Sequence, residues 1–119
     1  MAAFSASLEA HTCAYFTTTG RQSGTPHRVE IWFCVVDDVL CAISGGRDRS
    51  DWVRNLLKQP ELTIEVGDAS WTAQASIPPD DPDHPARGRL AGRYQGWQEG
   101  TPLTEWATHG LVLELRPAG

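Results

Sequence analysis

Two short loops in the first half of the chain carry the residues best suited to chemistry. Gly20-Arg21-Gln22-Ser23-Gly24 sets a guanidinium fork and a hydroxyl between two glycines, whose missing Cβ lets backbone N–H groups approach an anion. Read alone, the same five residues also make an ordinary hairpin loop. Ser44-Gly45-Gly46-Arg47 offers a similar cradle ahead of a helix-forming segment, where N–H groups favour negative charge. Asp48 and Asp51 already serve that helix end, so an anion there would sit on Gly45, Gly46 and Arg47. Between the loops, residues 27–36 alternate as a half-buried strand, with Val29, Ile31, Phe33 and Val35 on one face. Arg28, Glu30, Trp32 and Cys34 form the other face, either a solvated ion pair beside a Trp or a groove. In a groove, Trp32 would stack on a planar ring and Arg28 would hold an anion. Trp52 can flank such a ring or fill the core. Arg93, Tyr94, Gln95 and Trp97 can close a pocket or cover the end of the fold.

Other chemistries lack their signatures. His11, His27, His84 and His109 are scattered, with no paired spacing for a metal. Neither a GxSxG nucleophile motif, a GxGxxG dinucleotide fingerprint nor a P-loop is present. An enzyme of this composition takes its reactive atom from a bound cofactor. The net charge of -5 argues against a nucleic-acid partner. Residues 20–55 nonetheless balance five arginines against five acids, so the candidate loops are relatively basic within an acidic chain. Cys13, Cys34 and Cys41 are odd in number, lack CxxC spacing and lie in apolar runs, as expected of reduced thiols in the cytoplasm. No apolar run approaches the ~18 residues of a membrane span.

The elements that must position these residues follow from periodicity and turn residues. Strands are expected at 11–19, 27–36, 39–44, 61–66, 70–77 and 111–115, with a tight turn at Asp37-Asp38 and another at Gly67-Asp68. A helix capped by Asp48 or Ser50 runs from Asp51 to Pro60, and a second covers 86–95. Residues 1–10 read as a loose arm or a short helix, and the proline-rich, acidic 78–85 as a stiff connector. The expectation is one mainly β (α+β) domain over 1–119, a six-stranded antiparallel barrel with two or three peripheral helices.

Taken together, Thr18-Thr19-Gly20-Arg21-Gln22-Ser23-Gly24-Thr25-Pro26-His27-Arg28, Ser44-Gly45-Gly46, Asp51-Trp52-Val53-Arg54-Asn55-Leu56 and Glu61-Leu62-Thr63-Ile64-Glu65-Val66-Gly67 resemble the deazaflavin (F420)-dependent nitroreductases of the FMN-binding split-barrel superfamily. The resemblance spans about residues 12–116. It implies a split barrel binding F420, or FMN in some branches. By it, Arg21, Ser23 and Arg28 hold phosphate or the acidic tail. Ser44, Gly45, Gly46 and Arg47 border phosphate and ring, Trp52 lies beside the ring, and Trp32 stands on the groove strand. Two departures matter. Gln22 stands where the family often has Lys, removing a cation facing the tail. Either His27 or Arg28 takes the place of the usual Arg after Pro26. The implied activity is hydride transfer to a small enone, quinone or nitro compound, with Tyr94 as candidate proton donor. The alternatives are an FMN enzyme on the same fold and a non-catalytic carrier of flavin, haem or a lipid-like ligand. A homodimer completing the pocket through Trp97 or Trp106 is compatible with all three.

Overall fold

A computed structural model describes residues 3–118. Its strands are β1 (Ala14–Thr19), β2 (Pro26–Ile31), β3 (Cys34–Val36), β4 (Val39–Ser44), β5 (Glu61–Val66), β6 (Ala69–Ser76) and β7 (Leu111–Pro117). The helices are α1 (Asp51–Lys58), α2 (Pro85–Tyr94) and α3 (Glu105–His109), with 3-10 turns at Ala6–Ala10 and Arg47–Arg49. One antiparallel sheet curls into a half-barrel in the order β2-β1-β5-β6-β7-β4-β3. No helix among the described residues is long and apolar enough to cross a membrane.

Seven strands replace the expected six because the run 27–36 breaks at Trp32-Phe33. The backbone of Phe33 leaves the ladder there, its N–H donating to the Tyr94 hydroxyl at 3.2 Å. The two halves then serve different neighbours, β2 pairing with β1 and β3 with β4. Phe33 and Val35 enter the main core with Phe4, Phe16, Leu40, Ile64 and Leu113. Cys34 turns the other way, into a second cluster with Cys41, Ile43, Leu90 and Val112 beneath α2. With both faces covered, Leu40 to Ser44 of β4 are buried throughout, and alternation vanishes there. All three cysteines are free thiols. The hydrogen bond to Cys41, with burial, pushes the Cys34 thiol far above the usual thiol range, which keeps it protonated and unreactive.

The Asp37-Asp38 turn forms as expected, both residues adopting positive φ (49° and 68°) to match the strand twist. The N-terminal segment is a short helix rather than a loose arm. Phe4 is 1% exposed and meets Trp71 edge-on at 5.3 Å, and Glu9 accepts the Val35 N–H at 2.7 Å. That carboxylate, held also by Arg89, covers the outer edge of β3. Met1 and Ala2 lie outside the described residues.

The helix α2 is anchored by His84 at its N-cap. His84 Nδ1 accepts the Ala86 N–H at 3.1 Å, so Nε2 carries the proton and donates to Glu114 of β7 at 2.9 Å. This hydrogen bond, with help from Arg116 and against partial burial, holds the Glu114 carboxyl below its usual range. A carboxyl lowered by folding stabilises the native state above its unfolded value and loses that contribution as pH falls through the folded one. Glu114→Gln is expected to cost about 1–2 kcal/mol near neutrality, the scale of a charge-assisted hydrogen bond. In urea melts at a series of pH values, the gap from the parent should close below about pH 4.5; a gap independent of pH would refute the assignment.

Candidate functional site

The first cleft is built on the β1–β2 loop. Gly20 N–H donates to the Thr25 carbonyl at 2.8 Å and Gly24 N–H to the Gly20 carbonyl at 2.9 Å, drawing residues 20–25 into a tight ring. Helix α1 fixes this ring through one buried side chain. Asn55 is 3% exposed; its Oδ1 accepts from the Arg21 N–H (3.2 Å) and Arg21 Nη1 (2.9 Å), and its Nδ2 donates to Thr18 Oγ1 (3.0 Å). Arg21 Nη2 reaches Asp51 at 3.1 Å, and Lys58 Nζ donates to the Arg21 carbonyl at 2.8 Å. Loop and helix thus enclose a cleft of about 440 Å³, lined among others by Gly20, Gln22, Ser23, His27, Val29 and Trp52.

A second cleft of about 230 Å³ continues past Trp52, between Trp32, Ser44, Gly45, Ser50 and Trp106. Trp52 borders both and is braced edge-on by Phe16 at 5.8 Å. Trp32, 41% exposed, stacks parallel on Tyr94 at 4.7 Å and meets Trp106 edge-on at 5.5 Å. Gly45 admits the Trp106 indole, since a Cβ there would lie 2.8 Å from its Cδ1. The Ser44 hydroxyl is turned inward, donating to the Arg47 carbonyl at 2.9 Å and accepting from Ser50 at 2.7 Å. Outside α1, Asp48, Arg49, Arg54, Leu57 and Lys58 surround an open basin that joins the first cleft at Arg21.

Of the residues singled out in the sequence, Arg21, Ser23, Arg28 and Trp52 border the first cleft, and Trp32, Ser44, Gly45 and Trp52 the second. Gly46 and Arg47 border neither. Arg47 donates to the His109 carbonyl at 2.6 Å and faces Asp80 at 3.4 Å. The Arg28 guanidinium leaves the cleft, bonding Glu65 at 3.0 Å and lying 3.9 Å over the Tyr15 ring. Register explains this: Arg28 opposes Thr17, whereas His27 opposes Thr18 and Val29 opposes Phe16 on the inner face. The inner face of β2 is therefore His27, Val29 and Ile31, while the expected Arg28 and Glu30 border the clefts from the outer face. Because β2 is an edge strand, its apolar face is only half covered and itself forms the cleft floor. Tyr94 donates its hydroxyl hydrogen to the Thr12 carbonyl at 2.7 Å while accepting from Phe33, a bracing role. The clamp made by Asn55 was not assigned from sequence, whereas His27 was named only as an alternative to Arg28 and Trp106 only for a homodimer; the inner-face parity of His27 was the available signal.

The model of the F420H(2)-dependent quinone reductase family matches residues 2–105. The chain belongs to that family. Membership makes it an F420-dependent oxidoreductase and points to F420 as its cofactor. A solved F420 reductase is 22% identical over 95% of this chain and 92% of its own, with a TM-score of 0.65. A conserved hypothetical protein from Mycobacterium tuberculosis superposes with a TM-score of 0.73, at 19% identity over 94% and 75% of the two chains. HutZ, a haem storage protein from Vibrio cholerae, gives 0.69 at 14% identity over 95% and 87%. At these identities the structures share the fold alone, the split barrel. No curated protein matches the sequence.

Proposed function

We propose that this family member reduces a quinone, or an enone or nitro compound with the same planar, electron-poor face, as a single cytoplasmic domain using F420. The observation that carries the reading is the meeting of two unlike clefts at Trp52, one lined by polar donors and one by indoles. The polar cleft fits a phosphate. A Cβ at Gly20 would lie 2.8 Å from both Ser23 Oγ and His27 Nε2, so glycine is what opens the cradle. The Gln22 and Ser23 N–H groups make no hydrogen bond within the described residues and supplement these donors. Ser23, His27 and these N–H groups would hold the phosphate, with Arg21 fixing the loop. Trp52 would lie against the ring, and Arg49, Arg54 and Lys58 would receive the acidic tail in place of the cation missing at Gln22.

Bound F420 in its reduced form supplies the hydride. The protein orients: Trp32 and Trp106 stack on the acceptor and hold its face toward Trp52. With the Tyr94 hydroxyl tied to backbone, water entering the open cleft supplies the proton. The unpaired edge of β2 runs beside the site and supports a homodimer in which a second copy roofs it.

Calorimetric titration with F420 and FMN side by side, followed by anaerobic turnover of menadione with reduced F420, tests the reading. F420 should bind more tightly than FMN, and menadione should be consumed. Preference for FMN would transfer the protein to flavin chemistry; tight binding of F420 without turnover of menadione, an enone or a nitro compound would make it a carrier.

A further inference from the structure

Resting on the phosphate cradle proposed above, we infer that His27 is the cleft's cationic anion contact and that its protonation tunes how tightly the cleft holds its ligand. The arginines nearest the cleft are committed elsewhere. Arg21 is spent on Asp51 and Asn55, and Arg28 on Glu65 and the Tyr15 ring. His27 projects from the inner face of β2, and the only hydrogen bond of its ring among the described residues is a long one, 3.4 Å from Nε2 to Thr25 Oγ1. Its Nε2 and the Ser23 hydroxyl converge above Gly20.

The groups facing it are few. From β1 comes Thr18, which is neutral, and from the loop Ser23 and Thr25, also neutral, with the Arg21 guanidinium. From α1 comes Asp51, already paired with Arg21. Among the described residues, Asp51 is the only carboxylate lining this cleft, and Asp48, which has no ion-pair partner, lies in the adjoining basin. An imidazole changes charge between about pH 5 and 8, whereas an arginine in this place would stay charged throughout. Protonated His27 donates a charge-assisted hydrogen bond to the anion; neutral His27 offers at most an ordinary one. Anion affinity should therefore rise by about threefold to tenfold from pH 8 to pH 5.5, within the range of an exposed charge pair.

Sulfate, whose charge is constant over this range, is the first probe. In NMR titrations of the histidine ring protons, sulfate should move the His27 midpoint upward, as linkage requires, and the shift should shrink in Ser23→Ala. F420 affinity is then measured by calorimetry at pH 5.5 and pH 8 in the parent, His27→Gln and His27→Arg. The parent should lose more affinity at high pH than either variant, and His27→Arg should bind tightly at both. Because His27 is exposed, both variants should fold; circular dichroism checks this. A His27 midpoint unmoved by sulfate overturns the inference, as does equal pH dependence in parent and His27→Gln. If sulfate moves His27 but F420 does not bind, the anion contact stands and the cofactor reading falls. If F420 binds with identical pH profiles in all three proteins, the reverse holds.

Discussion

Asn55→Leu is expected to lower unfolding stability by about 2–4 kcal/mol and to weaken F420 binding at least tenfold. The substitution keeps the branched shape but removes every polar contact that Asn55 makes with β1 and the β1–β2 loop, leaving the Arg21–Asp51 pair and the Lys58 bond to the Arg21 carbonyl. The Arg21 N–H loses its acceptor, and the Thr18 hydroxyl, 1% exposed, loses its donor. Each buried group left without a partner costs about 1–3 kcal/mol. Without Asn55, residues 20–25 are tied to α1 only by the Lys58 bond to the Arg21 carbonyl and the Arg21–Asp51 pair, so the cradle loses order as well as stability. Asn55→Asp separates the two effects. It retains an acceptor for Arg21, and Thr18 can reverse its role and donate. Urea unfolding and calorimetric titration of both variants check this; a loss below about 1 kcal/mol in Asn55→Leu would show that loop and helix are held by other contacts.

Gly20→Ala should act in the opposite sense, sparing stability and damaging the site. A methyl there would press on His27 Nε2 and Ser23 Oγ at 2.8 Å and on His27 Cδ2 at 3.0 Å, all atoms of side chains able to swing away. The fold therefore adapts within about 1 kcal/mol, while two ligand-facing groups leave their places and F420 affinity falls by about tenfold to a hundredfold, as for the loss of one or two charge-assisted bonds. Gly24→Ala is the complementary control. Gly24 has φ +73° with nothing near a Cβ, so alanine strains the backbone by about 1–2 kcal/mol and leaves the cradle clear. Equal losses of affinity in the two variants would refute the view that Gly20 is required for space.

How far the sequence could be read depended on whether an interaction was local. The Asp37-Asp38 turn, the start of α1 and the alternation of β5 are set by neighbouring residues, and all were legible. The break at Trp32-Phe33 was not, because its cause is the Tyr94 hydroxyl, sixty-one residues away. Parity separated the two faces of β2 correctly, but which one a ligand meets depends on β2 lying at the sheet edge. Arg28 and Arg47 were read as ligand contacts from residue type; Glu65, Asp80 and the His109 carbonyl, all distant in sequence, claim them instead. Ser50 occupies the N-cap of α1, yet its hydroxyl turns to Ser44 rather than capping the helix. The buried role of Phe4 was hidden for the same reason, since its partner Trp71 belongs to β6.

The distribution of tryptophans gives the protein its own optical label. Trp32, Trp52 and Trp106 surround the groove, while Trp71 packs on Phe4 and Trp97 lies against Gly88 of α2. A tricyclic chromophore entering the groove would draw excitation from the first three indoles and leave the other two comparatively bright. Ultraviolet emission would then count occupied sites without any dye, and single Trp→Phe replacements would say which end of the groove was filled first.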